Sequence, residues 1–274
     1  MKRTIAGAAV VAGMVALTAM PAQAAATDPV KALQSELAAG RAVNLTSTAK
    51  ITYSGERVAT TSLDGTIGFG TRGPAASDLG QSVQYNDKLL REMKKSNPGE
   101  TAGLQAGPVR LISAGDVTYA AGPVVDEALP ADTSWVRYKG VKLPLSNLLI
   151  EALDPATLKA LVAARTSWKD GILKGAIKPA KLAAASDSFA ARYGRTFKSG
   201  KISYTLWFGD KGLPRRVAVN ATLSYAKTSV RVESDTRFAD WGREVTVNLP
   251  LEGDVIDRKE VADDVPAGVP GIWN

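Results

Sequence analysis

The chain has 274 residues, with 34 Lys and Arg against 27 Asp and Glu for a net charge of +7, and it contains neither cysteine nor histidine. Those two absences exclude a Ser-His-Asp triad, imidazole metal ligands, a thiolate nucleophile, disulfides, zinc-thiolate centres and a lipid-anchoring cysteine. Carboxylate, lysine, tyrosine or serine chemistry survives, or no chemistry at all.

Lys2 and Arg3 precede an uncharged apolar run from Ile5 to Met20, and Ala22-Gln23-Ala24 is a small-x-small cleavage site. This predicts a signal peptide over residues 1–24 and export of the remainder to the extracellular or cell-wall space. The run is shorter than the ~20 residues a membrane span needs, and no later apolar run is long enough to cross a bilayer. Asp28-Pro29 predicts a helix start, with Val30, Leu33 and Leu37 as its apolar stripe and Gly40 as its stop. From Val43 to Tyr53 apolar and polar residues alternate, which predicts a long half-buried strand. Gly65 to Gly70 predicts a second strand, whose three glycines imply bending or close backbone approach.

Residues 71–107 carry the weakest pattern: a loop at Gly73-Pro74, a short strand around Val83 and Tyr85, and a basic stretch with Lys88, Arg91, Lys94 and Lys95. No stacking aromatics interleave with these cations, as nucleic-acid binding would require, so the stretch reads as a solvated helix face. Strands follow at 109–112 and 117–120, and a third carries Trp135, Val136 and Tyr138. A helical middle is expected next, with the apolar segment Ser146 to Leu153 and a helix opened by Asp154-Pro155. Ile172 to Ile177 reads as a strand and Pro179 to Ala185 as a short helix. In the last third, Ile202, Tyr204, Leu206 and Phe208 alternate with polar residues up to a hairpin turn at Gly209-Asp210-Lys211-Gly212. The return strand carries Val217, Val219, Ala221 and Leu223. A third strand sets Val230, Val232 and Phe238 against Arg231, Glu233, Asp235 and Arg237, and a fourth is expected through Val245, Val247 and Leu249.

One apolar and one polar face per strand predicts an antiparallel sheet that is wet on one side and covered by helices on the other. The fold class is α+β: a single domain over 25–256 with ten or eleven strands and three or four helices. An extended tail is expected over 257–274, whose acids lack calcium-loop spacing.

Trp207-Phe208-Gly209-Asp210-Lys211-Gly212-Leu213-Pro214 is a strand ending in a D-x-G-L-P hairpin. Phe238-Ala239-Asp240-Trp241-Gly242 leads into Val245-Thr246-Val247-Asn248-Leu249-Pro250. In these segments, and best from Lys201 to Val255, the chain resembles the exported lipid and lipoprotein carriers of the LolA/LppX type. The resemblance implies a strongly curved antiparallel sheet, a half-barrel, wrapped over a few helices with acyl chains held between. Many members of that group carry a lipidated cysteine after the signal. This chain has none, which implies release rather than anchoring.

Ser47-Thr48-Ala49-Lys50 spells an S-x-x-K motif, whose chemistry needs Ser and Lys one helical turn apart; a period-2 strand sends them to opposite faces. Asp210, Asp235, Asp240 and Glu244 are the candidate carboxylates near strand ends, with no spacing that singles out a pair. The remaining candidate site is the apolar face itself: Leu45, Ile51, Ile67, Phe69, Tyr204, Leu206, Phe208, Val217, Val219, Val230 and Val232. These residues line either a filled core or a cavity for a lipid. Arg215, on the side of Val217 by strand parity, is the candidate rim cation for an anionic headgroup. The expected function is that of a secreted, non-catalytic binding protein of the cell envelope, without metal or cofactor. The alternative is an exported structural or interaction protein with a filled core, acting through its outer face.

Overall fold

The computed structural model describes residues 28–126, 129–141, 148–194, 196–197, 199–225, 228–261 and 265–270. The expected signal peptide lies outside the described residues. Helix α1 (Pro29–Glu36) starts as its sequence dictates: the Asp28 carboxylate accepts hydrogen bonds from the Val30 and Lys31 amides, and Leu33 is buried. Gly40, at φ +82°, then turns the chain into β1 (Arg41–Tyr53). Strands β2 (Glu56–Gly70) and β3 (Gly73–Tyr85) are far longer than their sequences suggest. Their inner positions include Thr61, Ser77 and Gln81, and their outer ones Thr60, Ser62 and Thr66. Both faces therefore have similar polarity, although the residues suit a pleated backbone.

Helices α2 (Asp87–Ser96) and α3 (Pro98–Ala106) follow, then β4 (Val109–Ala114), β5 (Val117–Ala121), α4 (Pro123–Asp126) and β6 (Trp135–Lys139). The second half runs α5 (Pro155–Ala163), β7 (Arg165–Lys169), β8 (Ile172–Ile177), α6 (Pro179–Ala183), α7 (Asp187–Tyr193), β9 (Gly200–Phe208), β10 (Pro214–Tyr225), β11 (Thr228–Glu244) and β12 (Val255–Asp257). The result is α+β with twelve strands and seven helices among the described residues, more of each than the sequence pattern predicts. All strands join one open sheet in the order β12-β6-β5-β4-β3-β2-β1-β11-β10-β9-β8-β7. Every pairing is antiparallel except that of β12 with β6, so the sheet is mixed. Two meanders, β1 to β6 and β7 to β11, meet along a central seam where β1 pairs with β11 from Arg41↔Glu244 to Tyr53↔Val230.

The inner face carries two main cores. One gathers Leu33, Leu45, Leu158, Leu161, Leu182 and Phe189 beneath the seam and the second meander. The other packs Leu104, Val109, Leu111, Val124, Val136 and Tyr138 under the first meander's outer strands. A cross-strand row of buried hydroxyls, Ser77, Ser113 and Thr118, lies on the first meander, with Ser113 and Thr118 hydrogen-bonded at 2.9 Å.

Two expectations need correction. Residues 148–153 are buried but not helical, and residues 146–147 lie outside the described residues. The expected fourth strand at 245–249 does not form. Strand β11 absorbs 17 residues and stops at Glu244, opposite Arg41, where β1 begins; the Val245 amide makes one further bond, to the Gly40 carbonyl at 2.9 Å, and there Gly40 turns the opposite chain away. Residues 245–254 instead cross the polar face of the first meander. Val247 sits 3.6 Å from where a Cβ on Gly68 would lie, and Glu252 pairs with Arg137 on β6 at 2.8 Å. Ile112 and Tyr119, which face this side by register, are buried. The chain then adds β12 at the sheet edge and continues onto the inner face. There Val265 and Val269 join the second core, and Tyr138 donates a hydrogen bond to the Pro266 carbonyl at 3.0 Å.

This edge is expected to loosen in acid. Hydrogen bonds from Arg137 and then Lys139 hold the Asp257 carboxyl below its ordinary 3.8. A depressed folded-state pKa gives stabilisation that is present above pH 3.8 and lost as pH falls through the folded value. As pH falls below 3.8 the β12 amides are therefore expected to lose hydrogen-exchange protection before those of β1. Simultaneous loss in both strands would contradict this account.

Candidate functional site

The pairing registers set side chains in rows across the inner face. One row runs Ile177, Ile202, Ala221, Val232, Ile51, Ala59, Tyr85; the next runs Gly175, Tyr204, Val219, Ser234, Ala49, Thr61, Val83. Eight of the eleven predicted lining residues (Leu45, Ile67, Phe69, Tyr204, Leu206, Phe208, Val217 and Val219) are packed into the main core. Phe69 stacks on Trp241 at 5.9 Å between ring centres, and Phe208 meets Trp168 at 5.8 Å. Tyr204 donates from its hydroxyl to the Leu161 carbonyl at 2.6 Å, in the last turn of α5. Burial pushes that phenol up to about 12.

The other three, Ile51, Val230 and Val232, lie at the end of the seam, the first two buried and Val232 partly exposed. With Ala49, Thr61, Leu149, Tyr193 and Phe197 they line a slot between the sheet and the last turn of α7. The slot holds ≈ 40 Å³ of free space, or ≈ 430 Å³ when counted out to its open mouth. The smaller figure is little more than room for one water molecule.

Sequence reasoning missed the wall of this slot. Phe189, Tyr193 and Phe197 recur every four residues; the first two share one face of α7 and Phe197 lies beyond its end. Their rings lie 5.5 Å and 6.0 Å apart in succession. The Phe-x-x-x-Tyr-x-x-x-Phe spacing was the available signal, beside Ser186, whose hydroxyl accepts from the Phe189 amide and caps α7.

An ion pair fixes the same wall. Glu151 is buried and accepts from Arg192 Nη2 at 2.7 Å and from the Ser188 hydroxyl, while Arg192 also donates to the Leu148 carbonyl at 3.3 Å. The guanidinium lies 5.3 Å from the centre of the Tyr193 ring. Burial pushes the Glu151 carboxyl up, with Arg192 and Ser188 pulling the other way. Burial likewise raises the Tyr193 phenol, opposed by Arg192. The segment carrying Leu149 is thus latched to the helix carrying Tyr193, and both line the slot.

The polar candidates lie elsewhere. Ser47 points inward and shares a hydrogen bond of 2.8 Å with Thr236, whereas Lys50 is exposed, as the strand parity of S-x-x-K requires. Asp235 pairs with Arg216 and Arg237 on the polar face, and Arg216 also lies 4.6 Å from the Trp207 ring centre. Asp240 accepts from Asn44 at 2.8 Å, Asp210 sits in the hairpin turn, and Glu244 ends β11. Arg215 is the extra residue of a bulge in β10, opposite Phe208 and Trp207; it is exposed, and its stem runs beside Gly209. A bulge breaks strand parity, so the side shared with Val217 does not carry over to it.

The Phe-Ala-Asp-Trp-Gly motif forms another irregularity. Asp240 at φ +54° and Gly242 at φ +76° widen β11, and Trp241 reaches Phe69 and Phe238 and donates to the Pro214 carbonyl at 3.0 Å. Among the described residues no group of three or more acidic, His or Cys side chains is placed to hold a metal ion. Among them, too, no helix is long and apolar enough to cross a membrane. No known protein family matches the chain, and no curated protein matches it in sequence.

Proposed function

We propose that this is an exported, non-catalytic binding protein of the cell envelope that takes one apolar chain of a lipid or acylated ligand between the sheet and α7. The observation that carries the reading is the slot. Seven of its eight lining residues are apolar, and three of them, Tyr193, Phe197 and Val232, stay partly exposed beside the main core. A concave apolar surface with few polar groups is the general form of a small-ligand site. Each methylene buried there contributes about 0.8 kcal/mol, so a chain gains affinity without a polar anchor. The slot is too narrow to hold such a chain as it stands. Uptake requires the Leu149 segment and the aromatic ladder of Phe189, Tyr193 and Phe197 to separate from the sheet, opening toward Val219 and Tyr204. The resemblance of residues 201–255 to LolA/LppX-type carriers supports the same reading. With it come a sheet curved as a half-barrel and secretion through residues 1–24.

The solid packing of eight predicted lining residues favours a second reading, an exported interaction protein with a filled core. Its working surface would be the polar face around Arg216, Arg231, Glu233, Asp235 and Arg237.

Native mass spectrometry of residues 25–274 separates the two. The carrier reading expects a lipid-sized mass that leaves on denaturation. It also expects Ala49→Phe, which fills the slot from the β1 side, to reduce uptake of a fluorescent fatty acid at least tenfold. A bare mass with no uptake by the unmodified protein would transfer the function to the outer face.

A further inference from the structure

Helix α2 combines a cationic face with an apolar stripe that the fold covers only in part. None of its ten residues is buried. At 100° per residue, Leu89, Leu90 and Met93 share one face, and each is half-buried. Lys88, Arg91, Lys94 and Lys95, with Asp87 and Glu92, occupy the other face and are exposed. The Lys88 and Lys95 side chains are 74% and 72% exposed although each reaches a carboxylate, Glu56 at 3.7 Å and Glu92 at 3.0 Å. A helix that serves only as cover buries its apolar stripe. A short helix with a partly open apolar stripe, four cations and two acids has the composition of one that lies in a membrane interface.

Its placement is fixed. Asn86 caps the helix by accepting from the Leu89 amide, and its side-chain amide donates to Glu56 and to the Arg57 carbonyl, at 2.8 Å and 3.0 Å. That ties α2 to the turn end of the β1–β2 hairpin. Tyr85, the last residue of β3, pairs with Ala59, which pairs with Ile51 of the slot. Tyr53, the last residue of β1, is 42% exposed and pairs with Val230 of the slot. Helix α2, an exposed tyrosine and the slot-lining ends of β1 and β11 therefore share one end of the sheet.

We propose that α2 docks the protein on an anionic lipid bilayer. Lys88, Arg91, Lys94 and Lys95 meet the phosphates, and Leu89, Leu90 and Met93 enter the acyl boundary. The charge complementarity selects an anionic surface, and the apolar stripe on the same helix selects a bilayer over an acidic protein, which would engage the cations alone. Docking stands whether or not the slot holds a lipid; where it does, this geometry turns the slot end toward the membrane.

The test is co-sedimentation of residues 25–274 with vesicles of phosphatidylcholine alone and of phosphatidylcholine mixed with phosphatidylglycerol. Binding is expected on the anionic vesicles only, weakening as salt shortens the screening length. Each cation near the surface contributes about fivefold, so Lys94→Gln with Lys95→Gln is expected to weaken binding roughly 30-fold. Arg231→Gln with Arg237→Gln, on the polar face of the sheet, should change it little. Absence of binding, equal binding to both vesicles, or loss on the sheet-face substitutions instead would overturn the proposal. So would a lysine-dependent partner that proved to be an acidic protein while vesicles were ignored. Vesicle binding with a bare native mass would leave docking in place and remove the carrier reading; a lipid-loaded mass without vesicle binding would do the reverse.

Discussion

Arg192→Leu is expected to lower the unfolding free energy by about 3–5 kcal/mol, the usual consequence of leaving a buried charge without its partner. In the native structure Arg192 faces Glu151 at 2.7 Å, and the two side chains are 13% and 8% exposed. Removing the guanidinium strands the carboxylate in an apolar setting and also strips the Leu148 carbonyl of its donor. The pH dependence has a definite sign. Burial already raises the Glu151 carboxyl above its ordinary 4.5, and loss of Arg192 removes the main influence pulling it down. A carboxyl raised in the folded state binds more protons there than in the unfolded chain. Stability then falls as pH rises from 4.5 through the folded value, and recovers on acidification within that window. Urea unfolding should therefore show a larger deficit at pH 8 than at pH 5. The double substitution Glu151→Leu with Arg192→Leu removes both charges and should return to within about 1 kcal/mol of the native protein. A double variant as unstable as the single one would show that the pair is not the cause.

Gly175→Val is expected to cost about 3 kcal/mol or more, at the upper end of overpacking effects. Gly175 pairs with Tyr204 across β8 and β9, and the tyrosine ring lies over the space a side chain would fill. A Cβ at this position would sit 2.3 Å from the Tyr204 hydroxyl oxygen and 2.9 Å from the Ala164 carbonyl oxygen. The ring cannot yield without giving up its hydrogen bond to Leu161 at the end of α5. The carbonyl belongs to the backbone leaving that helix, so α5 would have to lift from the sheet. Tyr204→Phe isolates the hydrogen bond and should cost about 1–2 kcal/mol. Combining Gly175→Ala with Tyr204→Leu removes the collision, and its deficit should fall below the sum of the two single deficits. Strict additivity would mean that the ring and the glycine are not interlocked. In alkali the same phenol works against the fold. Held up to about 12 by burial, it contributes stability that is complete below pH 10 and declines between pH 10 and 12.

The parts of this architecture that could be read in the sequence are those where local chemistry and tertiary packing agree. Asp28-Pro29 and Asp154-Pro155 open helices because an acceptor precedes a residue that needs no amide partner, and both aspartates cap as expected. The β9–β10 hairpin follows from alternation on either side of a glycine-bounded turn. The long β2 and β3 escaped because hydroxyls and glycines occupy both faces, leaving no contrast for a period-2 pattern to show. Strand β7 escaped for a similar reason, since Trp168 is the one apolar residue in Arg165-Thr166-Ser167-Trp168-Lys169 and a single residue shows no period. Val245, Val247 and Leu249 alternate like a strand but have no edge to join, and pairing is a property of the partner as much as of the segment. The candidate site divides in the same way. Alternation placed Ile51, Val230 and Val232 on the correct face. It could not separate them from Leu206 or Val217, because a filled core and an open slot have the same alternation. What distinguishes the slot is where the helices stop, and that depends on α7, the Phe189-Tyr193-Phe197 ladder and the Glu151–Arg192 pair.

The seam between β1 and β11 ties together the two ends of the chain: Asn44 and Asp240, hydrogen-bonded across it, are 196 residues apart in sequence. Each meander pairs strands that follow one another in sequence, but the joint between them waits for the longest loop to close, which is the slow step in sheet topologies. Until Thr228–Glu244 has been made, β1 presents one free row of amides and carbonyls along thirteen residues. Such an edge pairs readily with another copy of itself. A chain truncated before Thr228 therefore turns a strand from the middle of the finished sheet into an adhesive border, and aggregation rather than simple loss of stability is the fate its topology prescribes.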